Sequence, residues 1–161
     1  MSPAGRTDSI EHYPARSMEV SLGPASVHEV VLAAMTRHRY RLHGDVAAGV
    51  GIYRIGSAAR EFLNQVLPVE IFSTMAGKPH GSAEIAAWTV PVPGGVRLTL
   101  SLRTGFPHAV VVRAVAAELI DEFRANGVLI QASEPFTGLD LPPESPGRPK
   151  NVPRGRRAQS D

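Results

Sequence analysis

Residues 96–126, VRLTLSLRTGFPHAVVVRAVAAELIDEFRAN, decide the fold, because they predict a strand followed directly by a long helix. From Val96 to Arg103, apolar and polar side chains alternate at every position. Successive side chains of a strand point to opposite faces, so one face is aliphatic and the other is charged or hydroxylic. This alternation predicts a half-buried antiparallel strand.

The second half of the stretch has the spacing of an amphipathic helix. Arg113, Asp121 and Arg124 fall outside its apolar stripe. Pro107 suits the first turn of a helix, and Asn126-Gly127 supplies a left-handed stop. The stripe recurs at the i, i+3, i+4 spacing and predicts a core-facing surface: Val112, Val115, Ala116, Leu119, Ile120 and Phe123.

Upstream of this stretch, the pattern predicts a strand, a helix and a hairpin in that order. Alternation from Met18 to Leu22 indicates a first strand. Ser26 and Glu29 have capping-box spacing at the start of a helix that we expect to end near Arg39. Residues 40–56 then carry strand-like spacing around a Gly44-Asp45 turn, which predicts a hairpin.

The middle of the chain predicts further elements of the same sheet. Ser57–Leu67 favours a short helix over a strand, because its apolar residues have helical spacing. Val69–Met75 and Ser82–Val90 indicate two strands that precede the Val96 strand. The turns between these strands are too short for parallel crossovers, so we expect antiparallel pairing. Val128–Ile130 adds a brief extended segment.

These elements together predict an α+β fold with an antiparallel sheet of about five to seven strands. One helix follows the first strand, a short helix lies in the middle, and a long C-terminal helix packs on the sheet. In element order alone, this arrangement resembles the helix-grip folds of START-like and polyketide-cyclase-like proteins. The resemblance implies a sheet that grips the long helix around a cavity, and it implies no particular activity.

Composition predicts one folded domain with polar ends. Hydrophobic residues make up 43% of the chain and charged residues 20%, which is typical of a globular protein. We expect a flexible segment at residues 1–17, a single domain at 18–136 and a disordered tail rich in proline and arginine at 137–161. The arginine-rich, lysine-poor composition is typical of proteins from GC-rich bacterial genomes.

The distribution of charge disfavours a nucleic-acid surface on the folded domain. Residues 142–161 contain five basic and two acidic side chains, a net charge of +3, which leaves −1 for the rest of the chain. Nucleic-acid binding needs a basic face that neutralises phosphates. The tail itself could reach an acidic partner, RNA or an anionic membrane, or could simply aid solubility.

The sequence offers no motif for catalysis, metal binding or membrane insertion. The chain has no cysteine, which excludes disulfides and thiolate sites. His38 and His43 are five residues apart, which does not match the spacing of a helical histidine pair that binds a metal. We therefore expect no catalytic residues, no metal and no cofactor. No apolar run is long enough to span a membrane, so we expect a cytoplasmic protein.

The leading functional hypothesis is a non-catalytic module that binds a small hydrophobic ligand between the sheet and the C-terminal helix. The alternative is a protein-interaction or regulatory domain that binds a partner or a second copy through a sheet face, a sheet edge or the basic tail. An enzyme that uses scattered carboxylates and histidines ranks third. The residues expected to line the ligand cavity are Phe72, Trp88, Leu98, Leu100, Val112, Val115 and Leu119.

Overall fold

A computed structural model describes residues 10–56 and 81–150 and has an α+β fold, with helices packed on an open antiparallel sheet. Strand β1 is followed by helix α1, and helix α2 follows strand β5. The elements are β1 Pro14–Val20, α1 Pro24–Arg37, β2 Arg41–Leu42, β3 Val50–Ile55, β4 Ala83–Val92, β5 Gly95–Thr104, α2 Ala109–Ala125, β6 Leu129–Ala132 and β7 Phe136–Thr137. The predicted fold class is confirmed.

The sheet has the strand order β2-β3-β4-β5-β1-β6, and β7 also pairs with β1. A two-residue turn at Pro93-Gly94 joins β4 to β5, and Gly94 has the positive φ of 83° that such a turn requires. In the predicted hairpin, Leu42 of β2 pairs with Tyr53 of β3. The predicted middle helix Ser57–Leu67 and strand Val69–Met75 lie outside the described residues.

The stretch from Val96 to Asn126 folds as its pattern predicts. A 3-10 turn, Phe106–His108, places Pro107 just before α2. At the other end Gly127 has a φ of 71°, and the Val128 amide donates to the Phe123 carbonyl at 3.0 Å. All six predicted core positions of the helix are buried, and Arg113, Asp121 and Arg124 are exposed. The predicted helical phase is therefore correct.

Helix α1 begins three residues earlier than the capping-box pattern predicts. Gly23 is its N-cap, no side chain caps it, and Pro24 occupies the first turn. Proline is well suited there, because its missing N–H would have no partner within the helix and its φ is already helical. Ser26 therefore lies inside the first turn, and the predicted capping box is wrong.

Strand β1 also begins earlier than predicted. Pro14 and Ala15 pair with Thr137 and Phe136 of β7, and Ala15 pairs with Ser101 of β5 on the other side. Residues 14–17 thus belong to the sheet, although the sequence predicted a flexible segment there. Their sequence, Pro-Ala-Arg-Ser, has no apolar alternation, so only long-range pairing fixes them as a strand.

The two faces of the sheet are covered by different parts of the chain. Leu98, Leu100 and Leu102 of β5 point to the helices and are fully buried in the core. On the opposite, outer face lie the polar residues of β5 and, on β4, the side chains of Glu84 and Trp88. The outer face is covered by residues 138–150, named here the C-terminal strap.

The strap corrects two sequence-based predictions. The Ser101 hydroxyl donates to the Gly147 carbonyl at 2.7 Å, and the Lys150 amide donates to the Arg103 carbonyl at 2.8 Å. Gly147 lies so close to Trp88 that a β-carbon there would overlap the indole ring. Residues 138–150 are therefore packed on the sheet, whereas a disordered tail was predicted. On the polar face of β5, Thr99 and Ser101 are likewise buried, whereas a half-exposed strand was predicted, and Arg97 remains exposed.

Among the residues that the structure describes, no helix has the length and apolar character needed to cross a membrane.

Candidate functional site

The structure brings together five of the seven residues that were predicted to line a ligand cavity. Leu98 and Leu100 on β5 lie in one core cluster with three residues of α2, and each is at most 1% exposed. The three are Val112, Val115 and Leu119. Trp88 lies on the outer face under the strap, away from this cluster, and Phe72 is outside the described residues. That these residues line a ligand cavity stays a prediction.

A pocket of about 440 Å³ lies elsewhere, between the N-terminal half of α1 and the β2–β3 hairpin. Its volume is in the range of small-molecule sites, roughly 300–1,000 Å³. We call it the α1 pocket. Its lining is mostly apolar and consists of Pro24, Ala25, His28, Glu29, Leu32, Leu42, Val46, Gly49 and Tyr53.

Helix α1 supplies one wall of this pocket through a second stripe of residues. Ala25, His28, Glu29 and Leu32 are spaced at i, i+3, i+4 and i+7, so they share one side of the helix. This side differs from the buried stripe that faces the sheet. Leu32 is apolar but 40% exposed, so it presents an aliphatic surface to solvent at the mouth of the pocket.

The hairpin supplies the opposite wall through an irregular loop at residues 43–49. Gly44 and Gly49 have positive φ angles of 70° and 76°, and so does Ala48, at 52°. An alanine in this region is strained relative to glycine, and such strain recurs in loops that clamp ligands. Val46 lies in the same loop, lines the pocket and is 36% exposed. The loop thus presents a second apolar side chain across from Leu32.

Tyr53 extends along the inner face of β3 towards the loop. A β-carbon at Gly51 would be 3.1 Å from the Tyr53 Cε2 atom and 3.4 Å from its hydroxyl oxygen, so the absence of a side chain at Gly51 makes space for the ring. The Tyr53 hydroxyl is buried and has no hydrogen-bond partner among the residues that the structure describes. Burial raises the pKa of Tyr53 to about 12, so the hydroxyl keeps its proton at neutral pH.

His28 connects α1 to the hairpin. Its Nε2 atom is 3.1 Å from the Gly49 carbonyl oxygen and 3.5 Å from the Thr89 hydroxyl. Burial lowers the pKa of His28, although the bond to Gly49 acts in the opposite direction. Its Nδ1 atom, like the Tyr53 hydroxyl, is buried and has no partner within residues 10–56 and 81–150. The pocket therefore has two polar atoms beneath a mostly apolar lining.

A second pocket of about 630 Å³ adjoins the first and shares Pro24 and Gly49 with it. It runs between the start of α1 and the β4–β5 turn, past Thr89 and Gly95. The two pockets are therefore neighbours at the N-terminal end of α1.

The charged side chains around Glu84, on the outer face of the sheet, stabilise the fold. Glu84 is 7% exposed, and its carboxylate contacts Arg54 at 2.7 Å, Arg103 at 2.8 Å and Lys150 at 3.2 Å. Burial alone would raise the pKa of Glu84, but the hydrogen bonds from Arg54 and Lys150 and the charges around it hold the pKa below its usual range. The carboxylate is ionised and fully engaged, so it ties the strap to the sheet.

A buried hydrogen-bonded chain at the other end of α1 also has a structural explanation. His108 Nε2 lies 3.1 Å from the Gly81 carbonyl, and its Nδ1 lies 2.8 Å from the Tyr40 hydroxyl. Because a carbonyl only accepts, Nε2 carries the proton and Nδ1 accepts from Tyr40. Burial raises the pKa of Tyr40 above its usual range, so this hydroxyl remains a donor.

The histidines that were weighed as metal ligands lie apart from any such site. His38 Nε2 bonds to the Glu118 carboxylate of α2 at 2.9 Å, and His43 is in the exposed hairpin loop. Among residues 10–56 and 81–150, no three histidine, aspartate or glutamate side chains are grouped closely enough to hold a metal ion.

Sequence reasoning missed the α1 pocket because its residues form no single apolar pattern. The stripe at positions 25, 28, 29 and 32 mixes apolar and polar types and reads as an exposed helix face. Two signals were present. Leu32 is a large apolar residue on a helix face that otherwise carries polar or small residues. Gly49 and Gly51, in and beside a predicted strand, indicate that another part of the chain approaches the backbone closely there.

Comparison with known proteins gives no assignment: the chain matches no family model, no curated protein and no solved structure.

Proposed function

We propose that this protein binds a small apolar ligand in the α1 pocket and that it acts as a binding module without catalytic groups of its own. The observation that carries the proposal is a pocket of about 440 Å³ whose mouth is formed by two partly exposed apolar side chains, Leu32 and Val46. Surface pockets with this size and lining are typical small-molecule sites.

The position of the pocket supports the same function. Its wall on α1 is rigid, since the other side of that helix is buried against the sheet by Val27, Val31 and Met35. Its wall on the hairpin is a strained loop held to α1 by His28. A rigid wall opposite an adjustable loop lets a ligand enter without disturbing the core.

The proposal differs from the sequence-based hypothesis in location. That hypothesis placed the ligand between the sheet and the C-terminal helix. In the structure, Leu100, Val115 and Leu119 from that region lie together in the hydrophobic core. The residue types of a cavity and of a filled core are the same. The α1 pocket has both apolar and polar residues in its lining and is open to solvent. These two features favour the α1 pocket as the ligand site.

The test is a dye-binding titration with a matched pair of variants on one helix. Ala25 and Ala33 are both exposed residues of α1, but only Ala25 lines the pocket. We expect Nile red fluorescence to rise on addition of the parent protein and of Ala33→Trp, and to stay low with Ala25→Trp, because the indole fills the pocket. Equal dye binding by all three proteins would place the apolar site elsewhere.

A protein-interaction domain remains the alternative. It predicts that the parent protein binds no apolar dye and instead forms a complex or a dimer, which light scattering would detect.

A further inference from the structure

We infer that the ligand of the α1 pocket carries a neutral hydroxyl group on its apolar body, and that this hydroxyl is recognised by Tyr53 and His28. The inference rests on the proposed function, since it names the chemical class of the same ligand. It is carried by the two buried and unpartnered polar atoms of the pocket, the Tyr53 hydroxyl and His28 Nδ1.

The hydrogen-bonding roles of these two atoms follow from their surroundings. His28 Nε2 faces the Gly49 carbonyl, which can only accept, so Nε2 carries the ring proton. In the neutral ring Nδ1 is then an acceptor, and burial favours that neutral form. The Tyr53 hydroxyl remains protonated and is a donor. The pocket therefore offers one donor and one acceptor.

A hydroxyl group complements both atoms, because its oxygen is an acceptor for the Tyr53 hydroxyl and its proton is a donor for His28 Nδ1. A methyl group of the same size leaves both protein atoms unsatisfied. Leaving buried polar groups unpaired is strongly unfavourable, and sites of this kind discriminate well against analogues that lack the polar group.

A charged group fits the pocket less well. A carboxylate would face the lone pair of neutral His28, and Glu29 in the pocket wall already carries a negative charge. An ammonium group cannot accept the hydrogen bond from Tyr53. The complementary class is therefore an apolar alcohol or phenol.

The two polar atoms lie under the pocket surface, so the ligand must displace the loop slightly to reach them. Neither atom is accessible to solvent in this conformation. The loop at residues 43–49 contains Ala48, with a φ of 52°, and the Gly49 carbonyl, which bonds to His28 Nε2 and accepts from the Thr89 amide at 3.0 Å. We expect a shift of this loop, which breaks these two bonds, to open the way to the pair.

The experiment compares two probes of the same shape, 2-naphthol and 2-methylnaphthalene, in NMR titrations of the full chain. Both should shift the amide signals of Val46 and Gly49. We expect 2-naphthol to bind about tenfold more tightly, the effect of one well-made hydrogen-bonded group. In Tyr53→Phe the preference should fall to about twofold or less, because the donor to the ligand hydroxyl is removed.

The outcomes separate the inference from the function on which it rests. Equal affinities of the two probes for the parent protein would overturn the hydroxyl inference and leave the apolar pocket intact. Absence of shifts at Val46 and Gly49 with either probe would reject the pocket itself and the inference with it. The comparison on the parent protein decides the question even if Tyr53→Phe fails to fold.

Discussion

The two faces of the sheet are covered in contrasting ways. On the inner face, helices pack aliphatic side chains such as Leu119 against Leu98 and Leu100 of β5. On the outer face, a strap with almost no regular structure approaches the sheet through glycine and backbone hydrogen bonds, with Trp88 beneath it. Burial on the inner face depends on side-chain volume, whereas on the outer face it depends on close backbone approach.

The largest expected effect comes from the inner face. Leu119→Ala should reduce the free energy of unfolding by roughly 2–5 kcal/mol, because it removes a fully buried side chain and leaves a cavity. Val110→Ala on the same helix should change it by less than about 0.5 kcal/mol, because Val110 is 50% exposed. Urea denaturation measures both, and equal effects would show that the helix does not face the sheet as described.

The outer face should respond to loss of the strap. Truncation after Thr137 should lower the free energy of unfolding by about 1.5–3 kcal/mol, because it uncovers the Trp88 side chain. Trp88 is the only tryptophan, so its emission should shift to longer wavelength. The control is truncation after Lys150, which keeps the strap and should leave both quantities unchanged. An unshifted spectrum after the first truncation would mean that the strap does not cover Trp88.

A smaller and pH-dependent effect is expected from the charged tie between strap and sheet. Glu84→Gln should cost about 1–3 kcal/mol at pH 7, because it removes the carboxylate that Arg54, Arg103 and Lys150 surround. The folded-state pKa of Glu84 is lowered, so its stabilisation is complete above the unfolded pKa of about 4.3. This stabilisation is lost as the pH falls through the pKa that Glu84 has in the folded protein.

The difference in stability between parent and Glu84→Gln should therefore narrow as the pH is lowered from 5 to about 3. Urea denaturation at several pH values measures it. Asp121→Asn is the control, since the Asp121 side chain is 78% exposed and its ion pair with Arg124 lies at the surface. A difference that stays constant with pH would show that Glu84 acts only through packing.

The same contrast explains what could be predicted from the sequence. The inner face follows from periodicity. The stripe from Val112 to Phe123 is a local signal and is confirmed, and the alternation of β5 correctly predicts the strand and its inward-facing leucines. The strap gives no local signal of burial. Its prolines and charges are typical of disorder, and the importance of Gly147 becomes visible only when Trp88 lies against it.

The candidate site was unpredictable for a related reason. It is built from the less regular side of α1 and from an irregular loop, and neither has a hydrophobic period. The pairing of His28 with Gly49 depends on how the hairpin folds back over the helix. Such a contact arises from tertiary structure, and a pattern along the chain can at most indicate it through Gly49 and Gly51.

The most direct measurement of the central claim is a native mass spectrum of the protein purified from its own host, compared with Ala25→Trp and Ala33→Trp produced in the same way. We expect a discrete excess mass on the parent protein and on Ala33→Trp, and its loss from Ala25→Trp, whose indole occupies the α1 pocket. The same excess mass on all three proteins, or bare masses throughout, would contradict the assignment of the α1 pocket as a ligand site.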